Sequence, residues 1–101
     1  MSAEILIIDD NSDIREILND LITEAGYSTR LAANYNQALS EIDKKLPDVA
    51  IIDVKLDKGD NDGIELLNHI KNKNKNIPVI IISGHANIDM AIKSLKSGAF
   101  E

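Results

Sequence analysis

Two adjacent acids, Asp9 and Asp10, follow the apolar residues 5–8. A third, Asp53, sits inside "DVAIIDV" (48–54), and Ser83 ends "IPVIIIS" (77–83). Each of these polar residues stands where an apolar run comes up for solvent. If the chain brings them together, three carboxylates repel one another. Either some stay protonated or a cation neutralises them. A ligand set of oxygens without His or Cys suits Mg2+ or a similar divalent ion rather than zinc. Magnesium is commonly held by one or two carboxylates plus a phosphate, so a phosphoryl substrate is its natural companion. Beside such a cation a carboxylate can attack phosphorus and form an aspartyl phosphate. The metal and nearby hydroxyl or amide donors then stabilise the transferring oxygens. Taken singly, Asp9 or Asp10 also suits a helix cap and Ser83 a turn. Asp53, flanked by apolar residues, needs a partner.

The elements that place these residues follow from the hydrophobic pattern. "EILIID" (4–9) is a continuous apolar run of the kind a strand buried on both faces shows. Ile14, Ile17, Leu18, Leu21, Ile22 and Ala25 then recur at helical spacing, with Asn11 or Ser12 as cap and Gly26 as stop. Residues 27–33 read as a weaker strand. A helix carrying Ala38, Leu39 and Ile42 starts near Asn34 and ends before Pro47. After strand 48–54 comes a loop rich in Asp and Gly, then a helix with Ile64, Leu67 and Ile70. Strand 77–83 leads into a last helix with Ile88, Ala91, Ile92 and Leu95, ended by Gly98.

This alternation predicts an α/β fold with a parallel sheet covered by helices on both faces. Right-handed crossovers bring all strand carboxyl ends to one edge, where such sheets bind ligands. Asp9, Asp10, Asp53 and Ser83 all fall at that edge.

The 101 residues suit one domain, with ordinary globular hydrophobic (44%) and charged (28%) fractions. Aromatics make up only 3%, so Ile, Leu, Val and Ala must build the core. The absence of cysteine excludes a disulfide framework, a thiolate metal site and a cysteine nucleophile. With no spanning segment and no signal peptide, the expected location is cytoplasmic. The net charge of -6 opposes nucleic acid or anionic lipid as a direct partner. The one basic tract, "KNKNKN" (71–76), reads as a solvated helix end, where lysines suit the dipole. "DKGDNDG" (57–63) fails as an EF-hand: aligned on Gly63, the first ligand position falls on Lys58 and the last on His69. No glycine-rich phosphate loop follows a strand. His69 and His85 have no sequence-local ligand partner and read as structural or solvated.

Jointly, "LIIDDN", "AIIDVKL", "DGIELL", "PVIIISGHA" and "AIKSLKSGAFE" resemble the receiver domain of bacterial two-component response regulators over essentially the whole chain. The closest likeness is to sigma-54-dependent, nitrogen-regulation type regulators. The resemblance implies a flavodoxin-like (CheY-like) doubly wound sheet of order 2-1-3-4-5. It implies Asp53 as phosphoacceptor and metal ligand, Asp10 as a direct Mg2+ ligand, Asp9 as a ligand mainly through water, and the Lys55 carbonyl as a further ligand. Ser83 would bond the phosphoryl group and move with it. The donor would be a phosphohistidine of a sensor histidine kinase. The domain would be no turnover enzyme but would assist its own phosphorylation and dephosphorylation, switching a transcriptional output. DNA contact would belong to an output domain outside residues 1–101.

Two features depart from the family pattern. The loop between Asp53 and Gly63 is longer than in most receivers, and Asp57 stands where many have proline. Glu101 falls within or just before the family's expected fifth strand. The family's lysine, switch aromatic and fifth helix are expected beyond it, so the chain is expected to be a C-terminally truncated receiver with the fifth strand and helix missing or incomplete. Among rivals, a haloacid dehalogenase type phosphatase needs a second Asp where Lys55 stands. A flavodoxin-like cofactor binder needs a phosphate loop where the acid pair stands. A degenerate receiver used mainly for dimerisation remains the alternative. An unpaired apolar strand 79–83 would invite pairing with another chain, so self-association into a homo-oligomer and reduced stability are expected. Light scattering tests this: a monomer with a high melting temperature contradicts it.

Overall fold

The computed structural model describes residues 3–53 and 62–82. Within them the order is β1 (Glu4–Ile8), α1 (Ser12–Glu24), β2 (Ser28–Ala32), α2 (Tyr35–Lys44), β3 (Val49–Asp53), α3 (Asp62–Lys73) and β4 (Val79–Ile82). The strands form one parallel sheet in the order β2-β1-β3-β4. This is the first four-strand portion of the expected 2-1-3-4-5 sheet. The last expected helix, His85, Lys55 and Ser83 lie outside the described residues, as does most of the loop after Asp53.

β1 occupies the interior of the sheet, and its side chains from Ile5 to Ile8 are wholly buried. Because successive side chains point to opposite faces, the strand feeds two cores. Ile5 and Ile7 join Ile14, Leu18 and Ile22 of α1, together with Val49, Ile51 and Ile82. Leu6 and Ile8 join Ala38 and Ile42 of α2, Leu66 and Ile70 of α3, and Ala50 and Ile52. Burying each large aliphatic side chain contributes about 1.5–3 kcal/mol, so a continuous apolar run is what this position demands.

The helices differ in detail from the periodic reading. Only Ile14, Leu18 and Ile22 of α1 are buried, while Ile17 and Leu21 lie on a side turned from the sheet, 44% and 39% exposed. In α3 the buried stripe is Gly63, Leu66 and Ile70. Ile64 is exposed and Leu67 half-buried, because the sheet contact is offset from the expected stripe. Gly26, with φ of 102°, ends α1 in the left-handed region that only glycine enters without strain.

The amino-terminal edge is fastened by polar contacts. Asp48 accepts from the Glu4 amide at 2.7 Å through its carboxylate and donates its own amide to the Glu4 carbonyl at 2.9 Å. Arg30 of β2 reaches across to the end of α2 and donates to the carbonyls of Glu41 at 2.9 Å and Lys45 at 2.7 Å. It also pairs with the carboxylates of Glu41 and Glu4, each at 3.1 Å. The Glu4 pair is an attraction of charges without a directed hydrogen bond. The basic tract is likewise tied down: Lys71 donates to the carbonyls of Ile77 and Lys75. Lys73 and His69 both approach Asp43 of α2, at 3.4 and 3.3 Å. Those contacts, His69 first, hold the Asp43 carboxyl below its usual value.

A cation at a helix carboxyl terminus satisfies carbonyls that have no intrahelical donor. Arg30→Met keeps the apolar stem but removes these donors, and should lower unfolding stability by about 1–3 kcal/mol. Urea denaturation checks this, and an unchanged midpoint would show the clamp to be idle.

Candidate functional site

Parallel pairing brings the acids together. Ile8 of β1 is registered with Ile52 of β3, so one step further along the chain Asp9 and Asp53 come up side by side. Asp53 is the last residue of β3, whereas β1 has already ended at Ile8 and Asp9 lies just beyond it. One carboxylate oxygen from each of Asp9, Asp10 and Asp53 lies within 4.8 Å of the others. Asp9 is buried at 4% exposure, Asp53 is half-buried and Asp10 is exposed, so the cluster runs from a buried end to a solvent-exposed one.

The turn from β1 into α1 is held by a chain of local bonds. The Asp9 amide donates to the Ala32 carbonyl at 3.1 Å, extending the β1–β2 ladder by one step. The Asp9 carboxylate accepts from the Asn11 amide at 2.9 Å. The Asn11 side chain in turn accepts from the amides of Asp13 and Ile14, which makes Asn11 the cap of α1. Arg15 donates to the Asp9 main-chain carbonyl at 2.7 Å. The sequence reading anticipated the cap but not the Arg15 contact. The one sequence clue is a cation in the first turn of α1, where the helix dipole favours anions.

Electrostatics follow from this packing. Burial is the largest influence on Asp9 and, with the charges of Asp53 and Asp10, pushes its pKa up to about 6. The Asn11 amide and Arg15 pull the other way. Three hard oxygen donors, one reluctant to ionise, form a set that an Mg2+-like ion fits and would relieve. Among the described residues these acids form the one cluster suited to a metal ion. Of the five expected site residues the fold therefore brings together Asp9, Asp10 and Asp53. Lys55 and Ser83 lie outside the described residues. No described helix is long and apolar enough to cross a membrane.

Comparison with known proteins gives a consistent answer. Residues 5–101 match the family model of the response regulator receiver domain. The chain is 39% identical over 101 residues to the nitrogen assimilation regulatory protein NtrX of Azorhizobium caulinodans, covering all of this chain and 22% of that protein. It is 40% identical over 99 residues to sporulation initiation phosphotransferase F of Bacillus subtilis, covering 98% of this chain and 78% of that one. The crystal structure of the receiver domain of NtrX from Brucella abortus superposes with a TM-score of 0.72 at 35% identity. That match covers 93% of this chain and 78% of the other. The chain spans about a fifth of the length of its NtrX relatives. The likeness to nitrogen-regulation type regulators is thus borne out.

The raised Asp9 pKa has a direction that stability measurements read. A carboxyl whose folded pKa exceeds its unfolded value costs nothing while both states are protonated, and destabilises the fold once both are ionised. In chelator, this destabilisation should set in as pH rises from about 4 to 6, so the metal-free fold loses stability across that window. Asp9→Asn should then stabilise the metal-free protein above that window by about 1–2 kcal/mol, a figure kept low because the cluster meets water at its exposed end. Urea titrations across pH check it. A gain that persists undiminished at the acid end would assign it to packing instead.

Proposed function

The chain belongs to the response regulator receiver domain family, and we propose that Asp53 is its phosphoacceptor, served by a divalent cation, in practice Mg2+, held by Asp9 and Asp10. The observation that carries this reading is the meeting of three carboxylates, from two distant segments, within 4.8 Å.

In this reading each acid has a separate task. Asp9 and Asp10 come from one turn and provide negative charge at the buried and exposed ends of the cluster. Asp53 ends β3 with its backbone still in the sheet, so the nucleophile is held by the ladder while the metal ligands ride on the turn. A bound Mg2+ would neutralise the cluster and draw in the oxygens of an incoming phosphoryl group. An Asp53 carboxylate oxygen then attacks phosphorus, the bond from phosphorus to the donor atom breaks, and the donor departs with that electron pair. With a phosphohistidine on a sensor kinase as donor, the leaving group is the imidazole. The Lys55 carbonyl and the Ser83 hydroxyl complete the site by family resemblance, the first toward the cation and the second toward the phosphoryl group. A transcriptional output, as the names of the transcriptional regulatory protein ZraR and the DNA-binding transcriptional regulator NtrC suggest, would reside in the rest of a longer protein.

Incubation with Mg2+ and acetyl phosphate, followed by intact mass, tests the assignment. One phosphoryl group should be gained by the wild type, none by Asp53→Asn, and none by the wild type in excess chelator. Equal labelling of Asp53→Asn would move the acceptor elsewhere.

A further inference from the structure

Asp9 and Asp10 pose a geometrical problem. Adjacent residues in a strand send their side chains to opposite faces. Yet one oxygen from each lies within the same 4.8 Å cluster as Asp53. The chain must therefore turn between them. That turn must persist although it gathers like charges that would separate if it relaxed.

Three bonds hold Asp9, and they act at different points. Its amide is bound to Ala32 of β2, and its carboxylate takes the Asn11 amide. Its main-chain carbonyl, part of the very peptide that joins it to Asp10, accepts from Arg15 at 2.7 Å. Only this last bond acts on the linking peptide itself. It is charge-assisted and half-buried, hence stronger than a neutral hydrogen bond. Arg15 is also misplaced by local rules. It sits in the first turn of α1, where the positive pole of the helix disfavours a cation. A residue that breaks a local preference points to a task elsewhere.

We propose that Arg15 is a positioning residue for cation capture, its guanidinium gripping the Asp9 carbonyl so that Asp9 and Asp10 present their carboxylates to one point beside Asp53. This rests on the reading of the pocket as a divalent-cation site. The role is distinguishable from a through-space one by sign. As a mere positive charge near the pocket, Arg15 would repel Mg2+, and its removal would tighten binding. As a tether it pre-arranges the ligands, and its removal weakens binding.

The test is Mg2+ titration calorimetry at fixed pH and ionic strength on the wild type, Arg15→Met, Arg15→Gln and Arg15→Lys, each shown folded by circular dichroism. The second neutral variant serves should the first not fold. Loss of the guanidinium should weaken Mg2+ binding about ten-fold, the scale on which partners that orient metal ligands act. Arg15→Lys, which keeps a charged donor, should recover most of that loss. Without Mg2+, amide exchange at Asn11 should quicken in the neutral variants and stay near the wild-type rate in Arg15→Lys. Neutral variants that bind Mg2+ as tightly as the wild type, or more tightly, overturn the role of Arg15 while leaving the pocket intact. A folded wild type that takes up no Mg2+ removes the pocket reading and this inference together.

Discussion

Three carboxylates are held closer together than their charges favour, and one of them is buried. That conflict organises the carboxyl edge of the sheet. Two like charges a few ångströms apart repel even in water, and the repulsion grows as water is excluded. The fold accepts it because the acids are carried on elements that have other reasons to lie where they do. β1 and β3 are adjacent because both are apolar on both faces and pair residue for residue from Ile5–Val49 to Ile8–Ile52. Once that register is set, Asp9 and Asp53 come up side by side. The burial that stabilises the strands is thus the same force that compresses the acids.

Compensation for this cost is spatially divided. At the amino-terminal edge, charges are matched: Arg30 lies between Glu4 and Glu41 and takes up two carbonyls at the end of α2, while Asp48 ties β3 to β1. At the carboxyl edge, Arg15 and the Asn11 amide offset part of the Asp9 burden and leave its pKa raised to about 6. An imbalance of this kind, among three carboxylate oxygens within 4.8 Å of one another, is what the proposed divalent ion would relieve. Strain that no local partner removes becomes binding energy for a partner from outside.

Much of this arrangement was legible in the residues. The runs at 5–8 and 49–52 declare strands buried on both faces because no polar side chain interrupts them, and the acids that end them declare the edge. Asn11 and Gly26 act through local backbone chemistry, so their roles as cap and stop could be read locally. What could not be read depends on distances between segments far apart in sequence. Arg30 is one basic residue in a weak strand until α2 folds against it. His69 finds Asp43 only because α2 and α3 pack side by side. Periodicity marked Ile17 and Leu21 as apolar but cannot say that the sheet ends its contact with α1 along Ile14, Leu18 and Ile22.

The division of labour between strand and turn has a consequence for signalling chemistry. In the proposed reading the nucleophile must hold its orientation through attack, and Asp53 is registered with Ile82 in the β3–β4 ladder. Metal ligands must instead admit an ion, exchange water and release it, which requires a support that can yield slightly. The turn after Ile8 meets that need, because it is tied by a few discrete bonds rather than by continuous pairing. Its stiffness then draws on single side chains, Asn11 and Arg15, beside one ladder bond from Asp9 to Ala32. Under the proposed reading, substitution at such positions would adjust cation affinity, and with it the rate of phosphoryl capture, while the core that defines the fold stays unchanged.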